Sequence, residues 1–297
     1  MNRGSANRIV QALPGCSGTH LVIAAGASYD PERCDFALAS LLGEHEARGR
    51  AVTAVTLRVG RREDVDWALP SMRWLDARGR RVILRTRVVL PRSLLFAARD
   101  AGATVLLELA HHRLELQRAL LGEEAAAAAA LLLQAQHLQQ LSVPTGVHLG
   151  PVFAGVHDRE RDGHGGLAVD SLFGHIAAAD LHDLHISPGA LTAARHARLS
   201  RALGPGPMHV LHRNFGIGPG EDAVALLRGA PRRPSHRARA SLWESVATIA
   251  REHGLAVDRC GCAALCHLDE THRERARPEG AARAYVPVMQ ADLFATA

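Results

Sequence analysis

Residues 81–110 read RVILRTRVVLPRSLLFAARDAGATVLLELA, and this stretch decides the fold. Its apolar, β-branched first part, Arg81–Leu90, predicts a strand, and Thr104–Ala110 predicts a second strand. Between them, Pro91–Gly102 predicts a short helix because a proline begins it and a glycine ends it. A strand, a helix and a second strand in this order indicate one β/α unit of a parallel sheet.

The same unit repeats on both sides of this stretch. Further strands are predicted at Leu21–Ala27, Ala51–Val59, Thr145–Phe153 and Leu181–Ser187. Further helices are predicted at Asp35–Gly49, Asp64–Gly79, Leu114–Leu141, Asp170–Ala179 and Pro188–Leu203. The helix over Leu114–Leu141 is the longest, and it contains the alanine tract Ala125–Ala130, which favours helix.

About six β/α units in a row indicate an α/β protein with a partial (β/α) TIM-like barrel of parallel strands. Spacing alone leaves a doubly wound sheet open, although no G-x-G-x-x-G fingerprint follows a strand. We expect a loose lead-in over residues 1–20, the partial barrel over 21–203 and a Cys-containing extension over 204–297. In this extension, 204–207, 216–220 and 231–239 are predicted loops or linkers, and Ala240–His253 is a predicted helix.

Composition excludes some chemistry. All 35 basic residues are arginine, so neither a Schiff-base lysine nor a P-loop is present. The formal charge of +5 is compatible with phosphate or nucleic-acid contact without requiring it. No apolar stretch of about 18 residues predicts a membrane span, and residues 1–20 do not resemble a secretory signal. With five cysteines in no disulfide pattern, these features favour a cytoplasmic protein without a membrane partner.

Polar residues gather where the predicted strands end, which in a (β/α) barrel is the mouth that carries function. Glu108 is the strongest candidate because a carboxylate within an apolar strand must be paired or protonated. A mouth rich in histidine and carboxylate suits metal binding or acid–base chemistry, although 18 histidines place some on any surface. The candidates are Asp30, Glu32, Thr86, Arg87, Glu108, His111, His112, His148, His157, Asp158, His185 and Ser187.

Three cysteines cluster near the C-terminus, at Cys260, Cys262 and Cys266, and His267 follows them. Thiolates so close together suit an iron–sulfur cluster or, alternatively, zinc. His267, Cys34 or Cys16 would supply a further ligand. The spacing is not that of a zinc finger, and three buried structural cysteines remain the other interpretation.

The last residues form a second short motif. Gln290-Ala291-Asp292-Leu293-Phe294 resembles the Gln-Leu-[Ser/Asp]-Leu-Phe peptide by which bacterial DNA-processing proteins bind the replication sliding clamp, with Ala291 in place of leucine. Gln290, Leu293 and Phe294 would then contact that partner. Packing of Leu293 and Phe294 onto the domain is the alternative. Similarly, the arginines between 232 and 239 would contact nucleic-acid phosphates or form a solvated linker.

The segment Thr145–Asp158, TGVHLGPVFAGVHD, resembles a strand and turn of radical S-adenosylmethionine enzymes of the spore photoproduct lyase-like branch. In that branch, a strand ending in Pro-Val leads into Pro-Gly-Leu-Asn-Asp. Pro151, Val152 and Gly155 match, and His157-Asp158 occupy the Asn-Asp positions. Ile23–Glu32 and Val82–Leu90 are similar to two other strands of the family.

The resemblance implies a radical S-adenosylmethionine-like lyase related to DNA repair, with nucleic acid as substrate. It implies that Thr86, Arg87, Pro151, Gly155 and Ser187 bind the cofactor. Glu108, His148 and Asp158 are the predicted catalytic residues. In this interpretation, Thr86, Glu108 and Pro151–Gly155 line a nucleoside-sized cavity.

The family's C-x-x-x-C-x-x-C motif is missing, because Cys16 and Cys34 are isolated. The chain is therefore a degenerate relative or part of a split system whose cluster lies on another chain. Two alternatives stay open. One is a non-catalytic, metal-containing or partner-binding barrel subunit, and the other is a metal-dependent hydrolase that uses His148 and His185.

Overall fold

The structure is a computed structural model that describes residues 9–15, 18–24, 34–49, 52–158 and 166–257. It is an α/β protein built on one eight-stranded sheet, whose strands follow chain order from one edge to the other. The strands are β1 (Ile9–Gly15), β2 (Gly18–Ala24), β3 (Val52–Val59), β4 (Arg81–Thr86), β5 (Thr104–Leu109), β6 (Thr145–Val152), β7 (Asp183–Pro188) and β8 (Ala256–Val257).

Seven of these strands are parallel, and only β1 pairs antiparallel, with β2. The helices are α1 (Cys34–Ala47), α2 (Val65–Asp76), α3 (Arg92–Asp100), α4 (Leu114–Leu121), α5 (Ala128–Gln140), α6 (Ala168–Ala178), α7 (Ala193–Ala202), α8 (Pro205–Asn214), α9 (Ala223–Gly229) and α10 (His236–Glu252). Because neighbouring strands are consecutive in sequence, the sheet is wound in one direction, as in a barrel. The predicted partial (β/α) barrel is confirmed, as an open sheet.

The main core lies on one face of the sheet. Alternate residues of the strands, such as Val55, Leu84 and Leu107, pack there against helices α1, α2, α3, α5, α6 and α10. A second core joins α4, α7, α8 and α9 to Phe153 and Val156, just after β6. Among the described side chains, the other face of the sheet has a small apolar cluster of Ala54, Ile83 and Leu106. Polar side chains therefore have room on that face.

The prediction of one long helix over Leu114–Leu141 is wrong. The chain turns at Gly122, whose φ of +112° favours glycine, and helix resumes only at Ala128. The Arg87 guanidinium binds the Leu121 carbonyl, and the Ala126 amide donates to the Arg87 carbonyl at 2.9 Å. These tertiary contacts override the helix propensity of the alanine tract.

Three other expectations, for residues 1–20, 204–207 and 231–239, also need correction. The expected loose lead-in contains β1 and the start of β2, which form a hairpin. The Gly/Pro stretch over 204–207 begins α8, because Pro205 occupies a first-turn position that tolerates proline. Part of the expected linker over 231–239 belongs to α10, which begins after Ser235, whose side chain accepts a hydrogen bond from the Ala238 amide.

Candidate functional site

Glu108 lies on the inner face of β5, opposite the main core, and its side chain is fully buried. Arg85 on β4 forms an ion pair with Glu108 Oε1. Arg58 on β3 contacts both oxygens, with Nε 3.2 Å from Oε1 and Nη2 3.4 Å from Oε2. One carboxylate is therefore shared by two guanidinium groups, of which Arg58 is the more exposed.

The strand register brings these residues together. Arg58 pairs with Arg85, Glu108 pairs with His148, and His148 pairs with His185. Paired residues of parallel strands point to the same face, and alternate residues of one strand share a face. We call this group of residues the interior cluster. Its members are Arg58, Arg85, Glu108, His148, His185 and Ser187.

Glu108 is ionised. Burial alone would raise the pKa of its carboxyl group, but Arg58 and Arg85 outweigh burial and hold that pKa well below its usual range. Arg87 and His148 act in the same direction. The carboxylate is thus an acceptor and a counter-ion at neutral pH, and it has no proton to donate as a general acid.

The two imidazoles of the interior cluster are neutral. Burial, followed by the charge of Arg85, lowers the pKa of His148 well below its ordinary value and lowers the pKa of His185 to about 3. His148 Nε2 lies 3.1 Å from Ser187 Oγ. Among the described residues, His148 Nδ1 has no hydrogen-bond partner. Within this cluster His148 therefore retains one unused polar atom.

Gly150 makes the contact between His148 and Ser187 possible. A Cβ atom at position 150 would overlap Ser187 Oγ and would lie 2.9 Å from the Ser187 carbonyl oxygen and 3.2 Å from His148 Cε1. Any larger residue here must push β6 and β7 apart.

We expect Gly150→Ala to lower the free energy of unfolding by about 1–3 kcal/mol, because overpacking forces backbone shifts. The matched control is Gly43→Ala in α1, where a Cβ atom meets nothing within 4 Å. That variant should be neutral or more stable by up to about 1 kcal/mol. Urea unfolding measures both variants, and equal effects would contradict the close approach at Gly150.

Thr86 and Arg87, two predicted cofactor-binding residues, already have protein partners. Thr86 Oγ1 donates to the Val88 carbonyl at 2.8 Å. Arg87 Nε donates to the Gly60 carbonyl at 3.0 Å, and its Nη1 binds the Leu121 carbonyl. These bonds join the ends of β3 and β4 to the end of α4. Their role in cofactor binding stays a prediction.

The turn after β6 is held together by its own polar groups. Asp158 Oδ1 accepts from the Gly155 amide at 2.5 Å, and His157 Nε2 lies 2.8 Å from the Ala110 carbonyl. At Gly155, a Cβ atom would lie 2.9 Å from the Pro207 carbonyl, so this glycine is required for contact with α8. Pro151 precedes this turn and is buried.

Sequence reasoning missed three residues that build the site. Arg58 is the one arginine of β3, and Arg85 directly follows the apolar run Val82–Leu84 of β4. A charged residue within an apolar strand was the available signal. Gln117 on α4 accepts hydrogen bonds from the Ala110 and His111 amides, at 2.8 and 3.0 Å, and so fixes the end of β5. The expected nucleoside-sized cavity is not among the two cavities described. One of these, of about 510 Å³, lies between α4 and α7, and the other, of about 380 Å³, lies between α5 and α6.

Several predicted site residues lie outside the described residues. They are Asp30, Glu32, Cys260, Cys262, Cys266, His267, Gln290, Leu293 and Phe294. Within the described ranges, no group of three or more His, Cys, Asp or Glu side chains could hold a metal ion. In the same part of the chain, no helix combines the length and the apolar character that crossing a membrane requires.

No protein family model and no curated protein matches the chain. Among solved structures, the chain is similar to Streptococcus suis SuiB, at 10% identity and a TM-score of 0.40, over 59% of this chain and 39% of SuiB. For SuiB bound to precursor peptide SuiA, the identity is 10% and the TM-score is 0.41, over 60% of this chain and 39% of SuiB. For SuiB bound to S-adenosylmethionine, the identity is 9% and the TM-score is 0.39, over 60% of this chain and 40% of SuiB. The chain thus covers about two fifths of the length of these structures.

Proposed function

We propose that the chain is a radical S-adenosylmethionine-like barrel protein whose interior cluster binds the amino-acid end of a ligand such as S-adenosylmethionine. The observation that carries this proposal is the carboxylate of Glu108, fully buried and shared by Arg58 and Arg85. It lies toward the carboxyl end of a parallel sheet, where barrels of this kind bind their ligands.

An α-amino acid suits this arrangement because it carries both charges. Its carboxylate would bind the guanidinium group of Arg58, the more exposed of the two arginines, and its ammonium group would bind Glu108. A zwitterion that opens a buried ion pair leaves neither partner without a counter-charge. His148 Nδ1 offers a further hydrogen-bonding atom in the same cluster.

The described residues do not fit an iron–sulfur cluster, since they contain no group of three metal-ligating side chains. In this proposal, the iron–sulfur cluster would be bound by Cys260, Cys262 and Cys266, or by a second chain. When bound, it would supply the electron that radical chemistry requires. The arginine-rich segment over 232–239 and the tail residues Gln290, Leu293 and Phe294 support the finer proposal of a lyase acting on DNA near the sliding clamp.

Binding of S-adenosylmethionine tests the proposal by calorimetry on anaerobically purified protein. Arg58→Gln is expected to weaken binding about tenfold, because one charge-assisted contact is lost. Arg92→Gln on the exposed start of α3 is the matched control and should bind like the wild type. Adenosine, which lacks the amino-acid end, should bind much more weakly. Equal affinity for adenosine, or for the Arg58 variant, would refute the assignment.

A non-catalytic binding subunit is the second candidate, and the missing C-x-x-x-C-x-x-C motif favours it. The same samples separate the two candidates after chemical reduction. Cleavage of S-adenosylmethionine to methionine and 5′-deoxyadenosine supports the enzyme. Binding of intact S-adenosylmethionine without cleavage supports the subunit.

A further inference from the structure

The cavity between α4 and α7 is separate from the interior cluster, and most of the residues that line it are charged. Its volume is about 510 Å³, which is in the range of small-molecule sites. Three arginines and two glutamates line it, together with a short apolar wall. The lining includes Leu114, Arg118, Glu123, Arg198, Arg201 and Ala202.

Two of these arginines are held in place by backbone carbonyls. Arg198 Nε donates to the Ala119 carbonyl at 3.1 Å, and Arg118 Nε donates to the Ala125 carbonyl at 3.3 Å. Each bond uses only the Nε–H of its guanidinium group, so both Nη groups of each arginine remain available in the described part of the chain. Fixed guanidinium planes lose little entropy when they bind an oxyanion.

The charges in the cavity are not balanced. Glu123 pairs with Arg201 at 3.8 Å, and Glu115 pairs with Arg113 at 3.6 Å. Neither Arg118 nor Arg198 forms an ion pair with a carboxylate of the described chain. Arg198 is also half-buried, and burial, partly opposed by Glu123 and reinforced by Arg201, lowers its pKa. Within the described ranges, two guanidinium groups thus face the cavity without an ion-pair partner.

We propose that this cavity binds a small molecule with a phosphomonoester group. A phosphomonoester carries a charge near −2 at neutral pH, which matches the two guanidinium groups of Arg118 and Arg198. A carboxylate carries half that charge. Leu114 and Ala202 form the apolar wall for the rest of the ligand, and Glu123 accepts from a ligand hydroxyl. This site is independent of the proposed binding of S-adenosylmethionine.

Phenyl phosphate is the probe, because it joins one phosphomonoester to one apolar ring, and calorimetry at low salt measures its binding to the full chain. We expect a dissociation constant of about 1 mM or tighter. Inorganic phosphate, without the ring, and benzoate, with half the charge, should each bind at least about fivefold more weakly. Benzoate binding as tightly as phenyl phosphate would overturn the assignment to phosphate, and no saturable binding up to about ten times that constant would overturn the site.

Variants locate the site. Arg118→Gln and Arg198→Gln should each weaken phenyl phosphate binding about tenfold, since each removes one charge-assisted contact. Arg198→Lys keeps the charge without the planar fork and should give an intermediate loss. Arg213→Gln, on the exposed side of α8, is the matched control and should bind within twofold of the wild type. Thermal unfolding verifies that each variant is folded, and undiminished binding by folded Arg118→Gln and Arg198→Gln would refute the proposal.

Discussion

Replacing Glu108 with glutamine is expected to lower the free energy of unfolding by about 3–5 kcal/mol, although the two side chains have the same shape. The carboxylate compensates Arg85, whose side chain is 2% exposed, and Arg58, whose side chain is 22% exposed. Removing one member of a buried ion pair leaves charge in a medium that solvates it poorly. Urea unfolding at pH 7.5 measures the loss.

A double-mutant cycle isolates the ion pair from other consequences of the change. Glu108→Gln combined with Arg85→Gln should cost clearly less than the two single variants added together, by about 1–3 kcal/mol. The control is Glu46→Gln at the surface pair of Arg80 and Glu46, which is 2.5 Å apart and partly exposed on both sides. Breaking that pair should cost less than about 1 kcal/mol.

Additive effects of Glu108→Gln and Arg85→Gln would contradict the shared ion pair. The result also bears on ligand binding. A strongly coupled pair shows that the interior cluster holds a direct electrostatic interaction, which a ligand with both charges can replace at low cost. The stability experiment therefore constrains the proposed function without using any ligand.

The strands of the barrel could be predicted because they are short apolar runs bounded by glycine or proline. The predicted Thr104–Ala110 and the observed Thr104–Leu109 differ by one residue. Strand order could not be predicted, because spacing between strands is the same in a barrel and in a doubly wound sheet. The early end of helix α4 could not be predicted either, because the hydrogen bond from Arg87 to Leu121 joins residues that are 34 positions apart in the sequence.

The candidate site was predictable in part. Glu108 and His148 could be predicted because they are polar residues near the ends of predicted strands, and the strand register pairs them. Arg58 and Arg85 could not be assigned to that site from the sequence, because which face each one occupies relative to Glu108 depends on the register of three strands. The domain boundaries, the metal site at Cys260–His267 and the clamp-binding tail stay predictions.

Acid is expected to destabilise the protein well above the range in which its carboxylates titrate. His148 and His185 are buried and neutral, and the pKa of His185 is lowered to about 3. Between about pH 6.5, the ordinary value for histidine, and pH 3, the unfolded chain binds a proton at His185 and the folded chain does not. His148, whose pKa is also lowered, acts in the same direction. By linkage, stability is complete above about pH 6.5 and falls as the pH decreases through this window.

The carboxylate of Glu108 acts in a different window. Its folded pKa is lowered, so its contribution is present above the ordinary glutamate value of about 4.5 and is lost only as the pH falls further. A loss of stability between pH 6.5 and 5 therefore comes from histidines with a lowered pKa, which also include His111 and His157, and not from the ion pair. At pH 5, each imidazole that stays neutral in the folded state costs about 2 kcal/mol.

His185→Gln separates this titration from ordinary loss of packing. Between pH 7.5 and 5.0, the variant should lose about 2 kcal/mol less stability than the wild type, because one titrating group is gone. The control is Ile186→Val on the same strand, buried and without charge, which should lower stability by about 1 kcal/mol equally at both pH values. Urea unfolding at both pH values measures the difference. Parallel losses in wild type and His185→Gln would mean that His185 is protonated in the folded state, and the interior cluster would then carry one more positive charge than the neutral imidazole gives it.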